Sequence, residues 1–252
     1  MISLRTGAIV GAEALARWRH PDWGLVPPSE FIPVAEDSGL IHALGARVLR
    51  QAAHDSAAWR EFPDFGGVAV NVSTRQLTQP DELTALVRQV TADEGIPAGF
   101  ITLEITESLL MEALESAQHA LDLLTELGVQ LSLDDFGTGY SSLSYLRSLR
   151  LDRVKIDRSL TMNIVEAPRD AAVADAIIHM GHALDLEVIG EGIETRGQAA
   201  RLQALGCDVG QGFFFARPMS AEAFTALLGD RPDWLPRPSV PARTRARSTQ
   251  RG

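Results

Sequence analysis

Cysteine and lysine occur once each in the 252 residues, as Cys207 and Lys155. A single cysteine excludes internal disulfides and cysteine-rich zinc sites, and it suits a reducing, cytoplasmic setting. Cys207 itself reads as a small buried packing residue. Lysine is scarce against 22 arginines. An ammonium is a compact charge whose pKa moves on burial, so the one position that keeps a lysine is a candidate for chemistry. Neither HxH nor HExxH occurs, so a His-rich zinc site is not expected. No apolar run reaches the ~20 residues that span a bilayer. No basic segment followed by an apolar stretch opens the chain, so no secretion signal is expected. Positive charge is short as well: the net charge is −10. That argues against binding duplex nucleic acid through a basic surface. It leaves an anionic substrate open, provided that bound cations reverse the local field.

What is present describes a globular α/β chain. Hydrophobic residues make up 45% and charged residues 22%, enough to build one large domain or two small ones. β-rich runs lie at 8–15, 67–73, 100–106, 129–135, 152–157, 186–192 and 208–215. Helical patterns fall between them, at 41–62, 81–94, about 108–127, 141–149, 169–185, 195–205 and 220–228. On the first of these, Leu44, Val48, Leu49, Ala52 and Trp59 form a stripe. Gly128 and Gly206 stand where helix C-terminal caps belong. Strand–helix alternation implies parallel strands with crossover helices. Seven runs are one short of an eight-stranded barrel. Residues 2–10 read as a hairpin around Arg5-Thr6-Gly7, so Met1–Leu4 is expected to be the stub of an antiparallel first strand. A strand shortened in this way would expose two edges. Residues 236–252 differ in kind, with three prolines, five arginines and no acidic residue. They are expected to form a disordered basic tail, whose contact with membrane lipid or RNA is less favoured than inert overhang. The expected domain is therefore 1–235.

Each of the seven runs ends in a polar, chemistry-bearing residue. These are Glu13; Asn71; Glu104, with Glu107 three on; Asp134 and Asp135; Lys155 and Asp157; Glu191, with Glu194; and Gln211. In a parallel barrel, the C-terminal strand ends converge on one face, where active sites are built. Alternation puts Glu104 on the face of Thr102 and Thr106, opposite Leu103 and Ile105. A lone glutamate at a strand end is normally surface; seven such ends are not. Converging carboxylates repel unless neutralised, and oxygen ligands in this number suit hard divalent cations such as Mg²⁺ or Mn²⁺. Asp134 and Asp135, within LSLDDFGTGYSS at 131–142, are expected to hold metal, bridging two ions that clamp an in-line phosphoryl displacement. The glycines of GTGY would let a loop close over the site.

The same residues resemble a known family. GAEALARWRHPDWGLVPPSEFIPVAEDSGLI (11–41) is similar to the start of EAL domains, the bacterial phosphodiesterases of cyclic di-GMP, with Glu13-Ala14-Leu15 as the signature. NVS (71–73), LEITES (103–108), LDDFGTGYSSLSYL (133–146), DRVKIDRS (152–159), GEGIET (190–195) and QGFFFARPM (211–219) follow in order. The resemblance covers residues 1 to about 228. It implies a TIM-like (β/α)8 barrel with an antiparallel first strand, truncated here. It implies metal-dependent hydrolysis of cyclic di-GMP to linear pGpG, with two divalent cations, Mg²⁺ or Mn²⁺. By the same resemblance Glu13, Asn71, Glu104, Asp134, Asp135 and Glu191 are metal ligands, and Lys155, Glu13 and Glu191 are catalytic. Leu15, Arg17 and Asp157 bind substrate, Glu107 braces the DDFGTG loop, and Glu194 and Gln211 order the cluster. A cytoplasmic homodimer is expected. The alternative is a receptor that binds the nucleotide without cleaving it. Such relatives typically lose a ligand or the lysine, and this chain keeps all of them.

Overall fold

The computed structural model describes residues 1–107, 114–137, 149–230, 232 and 234. The strands are β1 (Ile2–Ser3), β2 (Ala12–Ala14), β3 (Trp18–His20), β4 (Gly24–Val26), β5 (Val68–Asn71), β6 (Ile101–Thr106), β7 (Gln130–Phe136), β8 (Arg153–Ile156), β9 (Glu187–Gly190) and β10 (Val209–Gly210). The helices are α1 (Pro28–Asp37), α2 (Ile41–Ala57), α3 (Thr74–Leu77), α4 (Pro80–Asp93), α5 (Leu114–Leu127), α6 (Arg158–Met162), α7 (Pro168–Ala183), α8 (Arg196–Ala204) and α9 (Ala221–Asp230).

Eight strands form one sheet in the order β1-β10-β9-β8-β7-β6-β5-β2, while β3 and β4 make a separate antiparallel pair. Every neighbouring pair in the large sheet is parallel except β1 with β10. The antiparallel first strand expected from the Arg5-Thr6-Gly7 turn is therefore present, two residues long. Its other side meets the segment leading into β2. Ile2 bridges Ile9, Val10 N–H donates to Met1 O at 3.0 Å, and the Met1 amino group donates to Gly11 O at 3.0 Å. These bonds engage both edges that a shortened strand would expose, and the sheet curls into a barrel.

Side-chain alternation divides the interior. Val68, Val70, Leu103, Ile105, Leu131, Leu133, Val154, Ile156 and Val188 join the apolar core between sheet and helices. The intervening positions face the barrel interior, and two successive ones on β8 carry charge. Arg153 lies in the lower layer, with Nε 2.7 Å from Glu187 Oε2 and Nη1 donating to Thr102 Oγ1 at 2.9 Å. Lys155 lies in the upper layer, fully buried.

Helix bounds follow the expected patterns closely for α2, α4, α7, α8 and α9. Gly128 and Gly206 cap α5 and α8, each with φ +89°, a conformation that glycine adopts without strain. Three expectations change. The run 208–215 yields only Val209–Gly210 as strand, because Gly212 turns the chain and Phe214 N–H donates to Ile193 O. The β3–β4 hairpin went unread because His20-Pro21-Asp22 looks like loop. Helix α1 was also missed: Pro28 suits its first turn, but Pro33 inside it costs a hydrogen bond, and the pattern is weak. Residues 138–140 of the GTGY turn, 141–148 of the pattern at 141–149 and the tail at 236–252 lie outside the described residues.

Candidate active site

Lys155 organises the site. Its Nζ lies 2.7 Å from Glu191 Oε1, 3.0 Å from Glu104 Oε2, 3.2 Å from Asp134 Oδ1 and 3.7 Å from Glu13 Oε2. These residues belong to β8, to the end of β9, to β6, to β7 and to β2, so the C-terminal strand ends converge as the alternation requires. Register sets the height: Asn71 pairs with Glu104, and Thr106 with Asp134.

The field around the ammonium is mutual. Burial works to lower the Lys155 pKa, but Glu104, Glu13, Glu191 and Asp134 override it and hold it well above the usual lysine value. Burial drives Glu104 well above the carboxylate range despite Lys155, with Glu13 and Asp134 adding to the rise. Burial likewise lifts Glu191 to about 7. Glu13 goes the other way. Its burial is outweighed by Lys155 and by donors from Gln211 and Asn71, and its pKa falls below the usual value. Those donors are Asn71 Nδ2 to Oε1 at 2.8 Å and Gln211 Nε2 to Oε2 at 2.5 Å.

The adjacent aspartates are explained by the backbone. Strict alternation would send Asp134 and Asp135 to opposite faces of β7. Instead the β7–β8 register shifts between Leu133 and Phe136, and Asp135 adopts φ +56°. The bulge turns both carboxylates to the same end of the barrel. Asp134, Asp135 and Glu191 can then each bring a carboxylate oxygen within 4.8 Å of the others, an acidic cluster that could hold a metal. Asp135 N–H also donates to Asp134 Oδ1 at 2.9 Å. Burial, with Asp134 close by, raises the Asp135 pKa.

The donor set fits a hard cation. All of it is oxygen, and Glu104 Oε1 has no hydrogen-bond donor among the described residues, while Oε2 has Lys155 Nζ at 3.0 Å. Gln211 Oε1 is a second buried acceptor without a donor among the described residues. Orphaned buried acceptors are costly unless something else coordinates them.

The remaining expected residues take different places. Glu107 is buried, and its Oε2 accepts from Gly137 N–H at 3.3 Å, beside the start of the DDFGTG loop. Asp157 Oδ1 accepts from Ser159 N–H at 2.9 Å and caps α6. Leu15 and Arg17 line a cleft of about 1460 Å³ that also touches Glu13 and Gln211, and Arg17 Nη1 donates to Ala16 O. Glu194 is exposed, and its N–H donates to Gln198 Oε1 at 2.8 Å. Sequence reading missed two residues near Glu191. Thr161, fully buried on α6, donates its hydroxyl to Glu191 O; nothing in the pattern signals it. Gln198 forms a capping box with Thr195, and the spacing T-x-x-Q was a usable signal.

The fold and site define an α/β barrel with an antiparallel first strand and an acidic, lysine-centred site at its C-terminal strand ends. Residues 1–218 match the model of the EAL domain family, and the chain belongs to that family. It is 42% identical over 229 residues to the cyclic di-GMP phosphodiesterase NbdA of Pseudomonas aeruginosa, covering 90% of this chain and 29% of that one. It is also 42% identical over 218 residues to the cyclic di-GMP phosphodiesterase PdeR of Escherichia coli, covering 86% and 33%. Among solved structures, the PaMucR phosphodiesterase in complex with c-di-GMP superposes with a TM-score of 0.82 at 38% identity, covering 88% of this chain and 90% of that one. The chain spans about a third or less of the length of the curated relatives it matches. No helix among the described residues is long and apolar enough to cross a membrane.

Proposed function

We propose that the chain hydrolyses cyclic di-GMP to linear pGpG with the help of two divalent cations. The observation that carries this reading is the convergence of Glu13, Glu104, Asp134 and Glu191 on the buried Lys155, with Asp135 beside them. With cations bound in place of the protons that burial favours on Glu104 and Glu191, five carboxylates less one ammonium would leave four negative charges, which two divalent cations balance. That balance is what would let a chain of net charge −10 accept a dianionic nucleotide.

Glu13, Asn71, Glu104, Asp134, Asp135 and Glu191 would hold the cations. Bound there, the ions supply charge neutralisation at the phosphate and activation of water. The chain's own residues do the rest. Asn71 and Gln211 fix both oxygens of Glu13, so its carboxylate cannot rotate away. Lys155 presents N–H donors on the carboxylate face, where they orient the attacking water and meet charge developing on the phosphate oxygens. Arg17, exposed on the cleft wall, offers a guanidinium fork to the phosphates, and Leu15 an apolar surface. Water adds its hydroxyl to one phosphorus, the P–O3′ ester breaks, and the leaving oxygen takes a proton. The other ester stays intact. Retention of the lysine and of all five carboxylates favours hydrolysis over a receptor that only binds the nucleotide.

The test is direct. The purified chain is incubated with cyclic di-GMP and Mg²⁺ or Mn²⁺, with and without a chelator. A chelator-sensitive linear dinucleotide is the expected product, and its absence overturns the reading.

A further inference from the structure

We infer that Gln198 is a positioning residue for Glu191, holding that carboxylate in place for metal through the loop backbone. The inference rests on the reading of Glu191 as a metal ligand and goes beyond it to a residue remote from the cluster. Gln198 lies on α8, is only 8% exposed, and touches none of the carboxylates around Lys155. Its side chain spends every polar atom on backbone. Oε1 accepts from Glu194 N–H at 2.8 Å and from Thr195 N–H at 2.9 Å, and Nε2 donates to Met162 O at 2.9 Å. One amide therefore ties the loop after β9 to the end of α6.

The near end of the same loop is tied to the same helix. Thr161 donates its hydroxyl to Glu191 O, and Glu191 N–H donates to Ile156 O at 3.2 Å. Gly192 packs flush against α6 with φ +64°, so close that a Cβ there would fall 2.5 Å from Arg158 Cβ. Helix α6 begins at the Asp157 cap, two residues beyond Lys155. The segment of Lys155 thus runs directly into this short helix, and the loop that carries Glu191 is bolted to it twice, at Thr161 and at Met162. Freeing the Gln198 bolt lets residues 192–195 lift from α6 and lets the Glu191 carboxylate drift from the 2.7 Å contact with Nζ. Residues that orient ligands from outside the coordination sphere typically change metal affinity by about 10–100-fold.

The experiment measures Mn²⁺ binding to the full chain by titration calorimetry without nucleotide, alongside thermal unfolding. Gln198→Met keeps the shape and removes all three bonds; the expected result is a Kd for Mn²⁺ raised about 10-fold or more. Gln198→Glu keeps an acceptor for both loop N–H groups but sets a carboxylate oxygen against Met162 O, so the tie to α6 is lost and Mn²⁺ affinity is expected to fall as it does for Gln198→Met. In a Glu191→Gln background the Gln198→Met effect on affinity should vanish, which a merely structural role would not produce. Should Gln198→Met fail to fold, Thr161→Val releases the other bolt and is expected to weaken Mn²⁺ in the same direction. A folded Gln198→Met with wild-type affinity overturns the inference, as does an effect that persists without the Glu191 carboxylate. If Glu191→Gln alone leaves Mn²⁺ binding unchanged, it is the reading of Glu191 as a ligand that fails.

Discussion

Replacing Lys155 with methionine removes the one side-chain cation that, among the described residues, pairs with Glu13, Glu104, Asp134 and Glu191, while keeping most of the side-chain volume. Three of those contacts are 3.2 Å or shorter, and the ammonium is fully buried. Removing one partner of a buried ionic group leaves uncompensated charge and costs about 3–5 kcal/mol. For a domain of this size each kcal/mol moves Tm by about 2–4 °C, so Lys155→Met should melt about 6–20 °C below wild type. The measurement is made in chelator at pH 8 and again at pH 6: without Lys155, which lowers them both, Glu191 and Glu104 titrate higher still, and protons taken up as pH falls relieve the repulsion, so the loss should be larger at pH 8. Added Mn²⁺ should then recover stability, by about 2.7 kcal/mol at a hundred times its Kd. Turnover of cyclic di-GMP should fall about 10²–10³-fold, the usual effect of losing one oriented donor at a developing charge. A Lys155→Met protein that melts within about 2 °C of wild type in chelator would refute the reasoning, since the expected loss is several times larger.

Glu13→Ala should abolish turnover, because it removes an oxygen ligand and strands the amides of Asn71 and Gln211; product formation at the wild-type rate would sink the assignment. Lys155→Arg keeps the charge but should still lose most activity, since a planar guanidinium does not fit a pocket shaped around a point charge; chromatographic product assay decides. Gly67→Ala should destabilise the fold by about 1–3 kcal/mol or more in urea denaturation, because its Cβ would fall 2.2 Å from the backbone oxygen of Phe100. Cys207 should not react with a thiol reagent at pH 8 in the native protein and should react once per chain in denaturant, since burial pushes its thiol up to about 12.

Much of this molecule was legible in one dimension. Period-2 runs with apolar residues on one face placed β5, β6, β7, β8 and β9, because a strand's alternation is written directly into the order of its residues. Polar residues late on each run pointed to one end of a barrel, because parallel strands necessarily bring equivalent ends together. The single lysine stood out by count alone. Other features had no local signature. Pro33 inside α1 argued against a helix that tertiary packing of Phe31 and Ala35 nonetheless holds. The β3–β4 hairpin hid in a stretch that looked like loop.

The sequence by itself determined which residues would meet: the strand pattern, the acidic ends and the lone ammonium follow from residue order and the geometry of a parallel barrel. Only the tertiary structure decided how they meet. Alternation puts Asp134 and Asp135 on opposite faces, and it takes the bulge against β8, with Asp135 at φ +56°, to turn them together. Likewise, no local pattern joins Gln198 to Met162 or Thr161 to Glu191; those bonds cross 36 and 30 positions of chain and exist only because α6 and the loop after β9 are packed against each other. Local periodicity fixes the direction in which a side chain points; its neighbour from a distant segment is fixed by packing alone.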